Sequence, residues 1–155
     1  MELSAVSMES LMPVLRLQLE NGGRAPLVVT GISMLPTLRH CRDMVELVPL
    51  TRPLCRGDLI LYQRSNGAYV LHRIVKKPEN DRLICSGDNQ WEPEDVQTQQ
   101  VIALVDTYIR DGKRVPVQKL SCRMWVGFWV FLFPVRKPFL KLRRGIGRLR
   151  RKCGG

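Results

Sequence analysis

Histidine is scarce in this 155-residue chain, which has only His40 and His72, and its five cysteines form no CxxC pair. Zinc-finger and zinc-ribbon spacings are therefore excluded, and neither a metal nor a cofactor is expected. Cys41, Cys55, Cys85, Cys122 and Cys153 are odd in number and widely spaced, which reads as free thiols rather than a disulfide framework. The apolar stretch "MWVGFWVFLFPV" at 124–135 stops at twelve residues, too few to span a bilayer as a helix. Residues 1–20 carry Glu2, Glu9 and Arg16 and lack the apolar core of a signal peptide, and no anchor is expected within 1–29. Acid is missing altogether after Asp111. Residues 112–155 hold 13 Lys/Arg and no Asp or Glu, whereas residues 1–111 hold 12 Lys/Arg against 14 Asp/Glu. A near-neutral body thus carries a basic tail whose partner should be anionic.

What is present reads as a mainly β domain of ordinary size. Met8, Leu11, Met12, Leu15 and Leu19 recur at helical spacing within 5–20, with Pro13 marking the first turn of a shorter helix and "NGGR" ending it. Strand patterns follow at 27–31, 43–50, 57–63, 67–77, 82–88 and 100–110, with "GKRVPV" at 112–117 as the return arm of a hairpin through "RDGK". Turns rich in Gly, Pro, Asn and Asp separate them. The expected organisation is an N-terminal helix at 1–24, an antiparallel β domain at 25–118 and a basic amphipathic tail at 119–155.

Ser33 stands in "TGISMLPTL", where a strand-like run ends. Gly31 permits an unusual backbone before it, Met34 and Leu35 can anchor the turn, and Pro36 limits its conformations. Serine is also a favoured helix N-cap, and "SMLPTL" could open a short helix. As a nucleophile, Ser33 needs a base. His72, in the strand "VLHRIV", has the near-neutral pKa for that work, although a lone histidine in a strand is often structural. A third group should orient the imidazole, and "SGDNQWEPED" offers Asp88, Glu92, Glu94 and Asp95. The Gly-Asp-Asn part of that segment equally suits a turn.

The order of these segments is more informative than any one of them. "G-x-SMLPTL", "RGDLILY", "VLHRIV" and "CSGDNQWEPED" resemble, box by box over about residues 25–110, the signal peptidase and LexA-type serine peptidase superfamily. The resemblance implies a coiled antiparallel β-sheet and a serine endopeptidase. Ser33 matches the nucleophile and His72 the base, as in the Ser-His branch, where other members place lysine. Asp88 matches the aspartate of the Gly-Asp-Asn box, while Glu94 or Asp95 falls near a later acid. Asp88 is the favoured acid and Asp95 the alternative. Members often have a serine two places before the nucleophile to help hold the oxyanion. Here that place is Gly31, so backbone N–H groups, including that of Ser33, would serve.

Three functions follow as expectations. The first is a peptidase that cuts a peptide or leader-bearing precursor, with small residues near the scissile bond. The second is a LexA-like self-cleaving regulator, and the third is a catalytically silent membrane-surface module. In "KPFLKLRRGIGRLRRKC", Phe139, Leu142, Ile146 and Leu149 fall on one helical face among Lys141, Arg143, Arg144, Arg148, Arg150 and Arg151. That is the pattern of an interfacial helix on anionic lipid. The expected location is cytoplasmic, peripheral on the inner face of the membrane. No base-reading motif accompanies the charges, so nucleic acid is not an expected partner.

Overall fold

A computed structural model describes residues 7–135. The expectations for residues 1–6 and for the tail helix beyond 135 lie outside the described residues. Helix α1 spans Met8–Glu20, capped by Ser7, whose Oγ accepts from the Ser10 N–H. It buries Met12, Leu15 and Leu19, the stripe that helical spacing predicts. Pro13 lies inside the helix on its exposed side rather than in its first turn, so α1 runs further back than expected.

Eight antiparallel strands follow: β1 (Ala25–Val28), β2 (Met44–Val48), β3 (Leu59–Gln63), β4 (Tyr69–Ile74), β5 (Arg82–Ser86), β6 (Glu94–Gln97), β7 (Val101–Arg110) and β8 (Lys113–Pro116). They form one sheet in the order β1-β2-β7-β3-β4-β5-β6, with β8 paired to β7. The mainly β class expected from the sequence is the class observed. Register shifts between Glu46 and Leu47 and between Leu61 and Tyr62 let the long β7 serve different partners along its length. Asp111 and Gly112, both at positive φ, turn β7 into β8 as the "RDGK" hairpin requires. β6 is an unforeseen strand, paired with β5 from Arg82↔Gln97 to Cys85↔Glu94.

Every residue of β3 except Gln63 is buried, because the sheet has core on both faces. Leu59 and Leu61 join α1, β1 and β2 in one cluster, whereas Ile60 and Tyr62 join Ile74, Leu83, Cys85 and Val96 in another. Helix α2 (Leu120–Phe131) packs Trp129 and Val130 against this body. The strand order matters for the site. It sets β4 between β3 and β5 and brings the β5–β6 connection beside β4, where Gly87 lies against Ser33 of the β1–β2 connection.

Candidate active site

Ser33 lies in the β1–β2 connection, in a series of turns rather than at the cap of a helix. Met34, Thr37 and Leu38 are buried and pin this connection to the body, while Leu35 is half-buried and Pro36 exposed. Its two ends are tied by the Val29 N–H on the Asp43 carbonyl and the Cys41 N–H on the Val29 carbonyl. Ser33 is thus held on a pinned turn and is only half-buried.

The Gly-Asp-Asn segment closes against that turn. The Asn89 N–H donates to the Ser33 carbonyl at 2.7 Å, and Asn89 Nδ2 donates to the Ile32 carbonyl at 3.2 Å. Gly87 passes so near that a β-carbon on it would lie 2.6 Å from the Ser33 carbonyl oxygen and 3.1 Å from His72 Nε2. Glycine is therefore required at 87 by close approach of two backbones and a ring. The same two distances bring the Ser33 turn and the Nε2 edge of the imidazole together around one residue.

His72 is fully buried on β4, opposite Ile60 of β3. Tyr62, two residues further along β3, shares its face. The Tyr62 hydroxyl lies 3.3 Å from His72 Nδ1 and donates to Glu94 Oε2 at 3.0 Å. A phenol has one proton to give. With that proton on Glu94, Tyr62 can only accept from His72. The network therefore assigns the imidazole proton to Nδ1 and leaves the lone pair on Nε2. Glu94 Oε1 also lies 3.3 Å from Nδ1, and the carboxylate is clamped by Arg64 through Nε at 2.7 Å and through Nη2. Burial pulls the His72 pKa down to about 4 against the attraction of Glu94, so the ring is a neutral base at pH 7. Burial alone would raise Glu94, but Arg64, His72 and Tyr62 outweigh it and keep its carboxyl below the usual range.

The two acids favoured from the sequence sit elsewhere. Asp88 is fully buried, yet its carboxylate is gripped bidentately by Arg73, from Nε to Oδ1 at 2.9 Å and from Nη2 to Oδ2 at 2.8 Å, and it accepts from Thr37 Oγ1. Its charge acts on His72 less than that of Glu94 does. Arg73 alternates with His72 along β4, so the strand turns these two side chains toward different acids. Asp95 alternates with Glu94 on β6 and pairs with Arg82 at the surface. Glu94, already among the acids of that segment, is the one that meets the histidine. Tyr62 and Arg64 were missed; the only signal was that Tyr62 falls on the His72 face once β3 and β4 are paired.

Ser33 and His72 line one cleft of about 250 Å³, together with Val28–Thr30 of the β1 end, Tyr69–Leu71 of β4, and the side chains of Arg64 and Gln90. Neither Ser33 Oγ nor the Ser33 N–H has a hydrogen-bond partner among the described residues. The Gly31 N–H is committed to His40 Nδ1 at 2.8 Å, so of these two backbone donors the one on Ser33 is open to a ligand. Comparisons with protein-family models, with curated proteins and with solved structures find no match to this chain.

Proposed function

We propose that the protein is a serine endopeptidase with the coiled antiparallel architecture of the LexA and signal-peptidase superfamily. Ser33 Oγ attacks a peptide carbonyl while His72 Nε2 takes its proton. The resulting imidazolium is stabilised by Glu94 directly and through Tyr62, which keeps Nδ1–H in place during the transfer. The Ser33 N–H faces the developing oxyanion. His72 then protonates the leaving amine, and water, deprotonated by the same nitrogen, releases the acyl group from Ser33.

One observation carries this reading: the Tyr62–Glu94 relay occupies Nδ1 and leaves an open lone pair at Nε2, on the cleft that Ser33 lines. The cleft also suits an extended chain. β4 pairs with β5 only at Arg73 and Ile74, so its edge from Tyr69 to His72 is unpaired on that side, with the end of β1 across the cleft. A peptide strand can hydrogen-bond to such an edge and bring a carbonyl to Ser33. The limited cleft volume favours small side chains beside the scissile bond. The test is to incubate the protein with leader-bearing precursors and a fluorophosphonate probe, and to map adducts and cuts by mass spectrometry. Labelling at Ser33 and cleavage of added peptide, both lost in Ser33→Ala, support the peptidase. A Ser33-dependent nick in the chain itself, with no cut in added peptide, transfers the site to a self-cleaving regulator. No adduct and no cut under any condition refutes the reading.

A further inference from the structure

Helix α2 has two unlike faces. Inward, Trp129 Nε1 donates to the Asp88 carbonyl at 3.2 Å and Trp125 Nε1 donates to Thr37 Oγ1 at 3.2 Å, with the two indoles stacked 5.3 Å apart. Outward, Leu120 is 71% exposed, Met124 66%, Phe128 56% and Phe131 75%. At about 100° per residue these four fall within about 80° of the helix circumference. Gly127 lies at the edge of this sector, about 20° outside it, and a β-carbon there would meet nothing. Four large apolar side chains in one sector, without an intervening charge, are more than scattered surface hydrophobics explain. Arg123 flanks the sector, and the sequence at 136–152 adds nine further Lys/Arg and no acid.

We propose that the outer face of α2 docks on an anionic lipid surface, its apolar sector entering the headgroup boundary while Arg123 at its flank meets lipid phosphates. A helix of twelve residues reaches about 18 Å and cannot cross about 30 Å of hydrocarbon, and no helix among the described residues is long and apolar enough to span a membrane. A helix with one apolar sector and cationic flanks lies in the interface plane instead. Self-association is disfavoured, because each chain carries a formal net charge of +11. Docking also has a structural consequence. The indoles that anchor α2 bond to Thr37 on the Ser33 connection and to Asp88 beside Gly87, so the helix that meets lipid is fastened to both segments that form the cleft. That link to catalysis rests on the peptidase reading; the docking itself does not.

The experiment is flotation of the full chain with vesicles of phosphatidylcholine alone or mixed with phosphatidylglycerol, beside a Phe128→Glu/Phe131→Glu variant. Wild type should float with the mixed vesicles only, and high salt should weaken but not abolish this. The variant should bind about a hundredfold more weakly, the scale of two large apolar side chains kept from burial. Its melting temperature and its labelling of Ser33 should match wild type. Equal flotation of the variant, absence of wild-type flotation, or a wild-type dimer that the variant dissociates would each overturn the proposal. Flotation without any adduct at Ser33 supports the docking and sinks the peptidase; an adduct without flotation does the reverse.

Discussion

A β-carbon on Gly87 would sit 2.6 Å from the carbonyl oxygen of Ser33, whose position is already fixed by the Asn89 N–H. Gly87→Ala must therefore push the Gly-Asp-Asn segment, the Ser33 turn or the His72 ring out of place. The overpacking should cost about 1–3 kcal/mol of stability. A displacement near 1 Å should lower turnover by about a hundredfold. Thermal melts and the rate of fluorophosphonate labelling check both; labelling at the wild-type rate would show that the contact is not tight.

Ser33 and His72 should behave as a single unit. Removing either member of a nucleophile–base pair costs nearly as much as removing both. Ser33→Ala, His72→Ala and the double variant should share one low residual rate of peptide cleavage. Independent, multiplying losses would mean that His72 does not serve Ser33.

The three acids separate by what each touches. Glu94→Gln keeps the shape but removes the charge that stabilises the imidazolium, and should lower kcat by about 10²–10⁴-fold at little cost in melting temperature. Asp88→Asn leaves the guanidinium of Arg73 buried without its anion and should destabilise the fold by about 3–5 kcal/mol. Asp95→Asn at the surface should change neither quantity. Tyr62→Phe breaks only the relay, so it should lower kcat with KM nearly unchanged. If Asp88→Asn selectively lowers kcat in a fully stable protein, the assignment of Glu94 fails.

Acid should act on His72 twice. The base is neutral down to about pH 4, so the acid limb of kcat/KM should fall near that value, well below an ordinary histidine near 6.5. Glu94→Gln removes an attraction that raises the His72 pKa, so the limb should move lower still. In the unfolded chain His72 takes its proton near pH 6.5, and in the folded chain only near pH 4. Across that window the unfolded state binds more protons, so the contribution of this group is complete above pH 6.5 and drains as pH falls toward 4. Melting temperature followed from pH 7 to pH 4 should therefore decline more steeply in wild type than in His72→Gln.

Much of the fold was legible because side-chain period and turn chemistry act locally. The buried stripe of α1, the fully apolar run of β3 and the Asp111–Gly112 hairpin follow from neighbours in sequence. β6 did not, because "EDVQ" carries two acids and owes its pairing to β5. Ser33 and His72, the proposed nucleophile and base, were legible as residue types. The acid was not, since which carboxylate reaches Nδ1 depends on Arg73 claiming Asp88 first, and that competition exists only once β4 lies beside the β5–β6 connection. The short helix that "SMLPTL" could open does not form; the stretch runs in turns, with Met34, Thr37 and Leu38 buried.

His72 and Arg73 are adjacent on β4, and each is claimed by a different acid, Glu94 for one and Asp88 for the other. A strand that slipped by a single residue would send each side chain to the opposite face. A slip one way stands the guanidinium where the neutral ring belongs; a slip the other way sets the imidazole against a buried carboxylate sized for a fork of N–H donors. Misalignment by one step thus forfeits both pairs at once. On the peptidase reading proposed above, Ser33 has no competent base until the strand has settled.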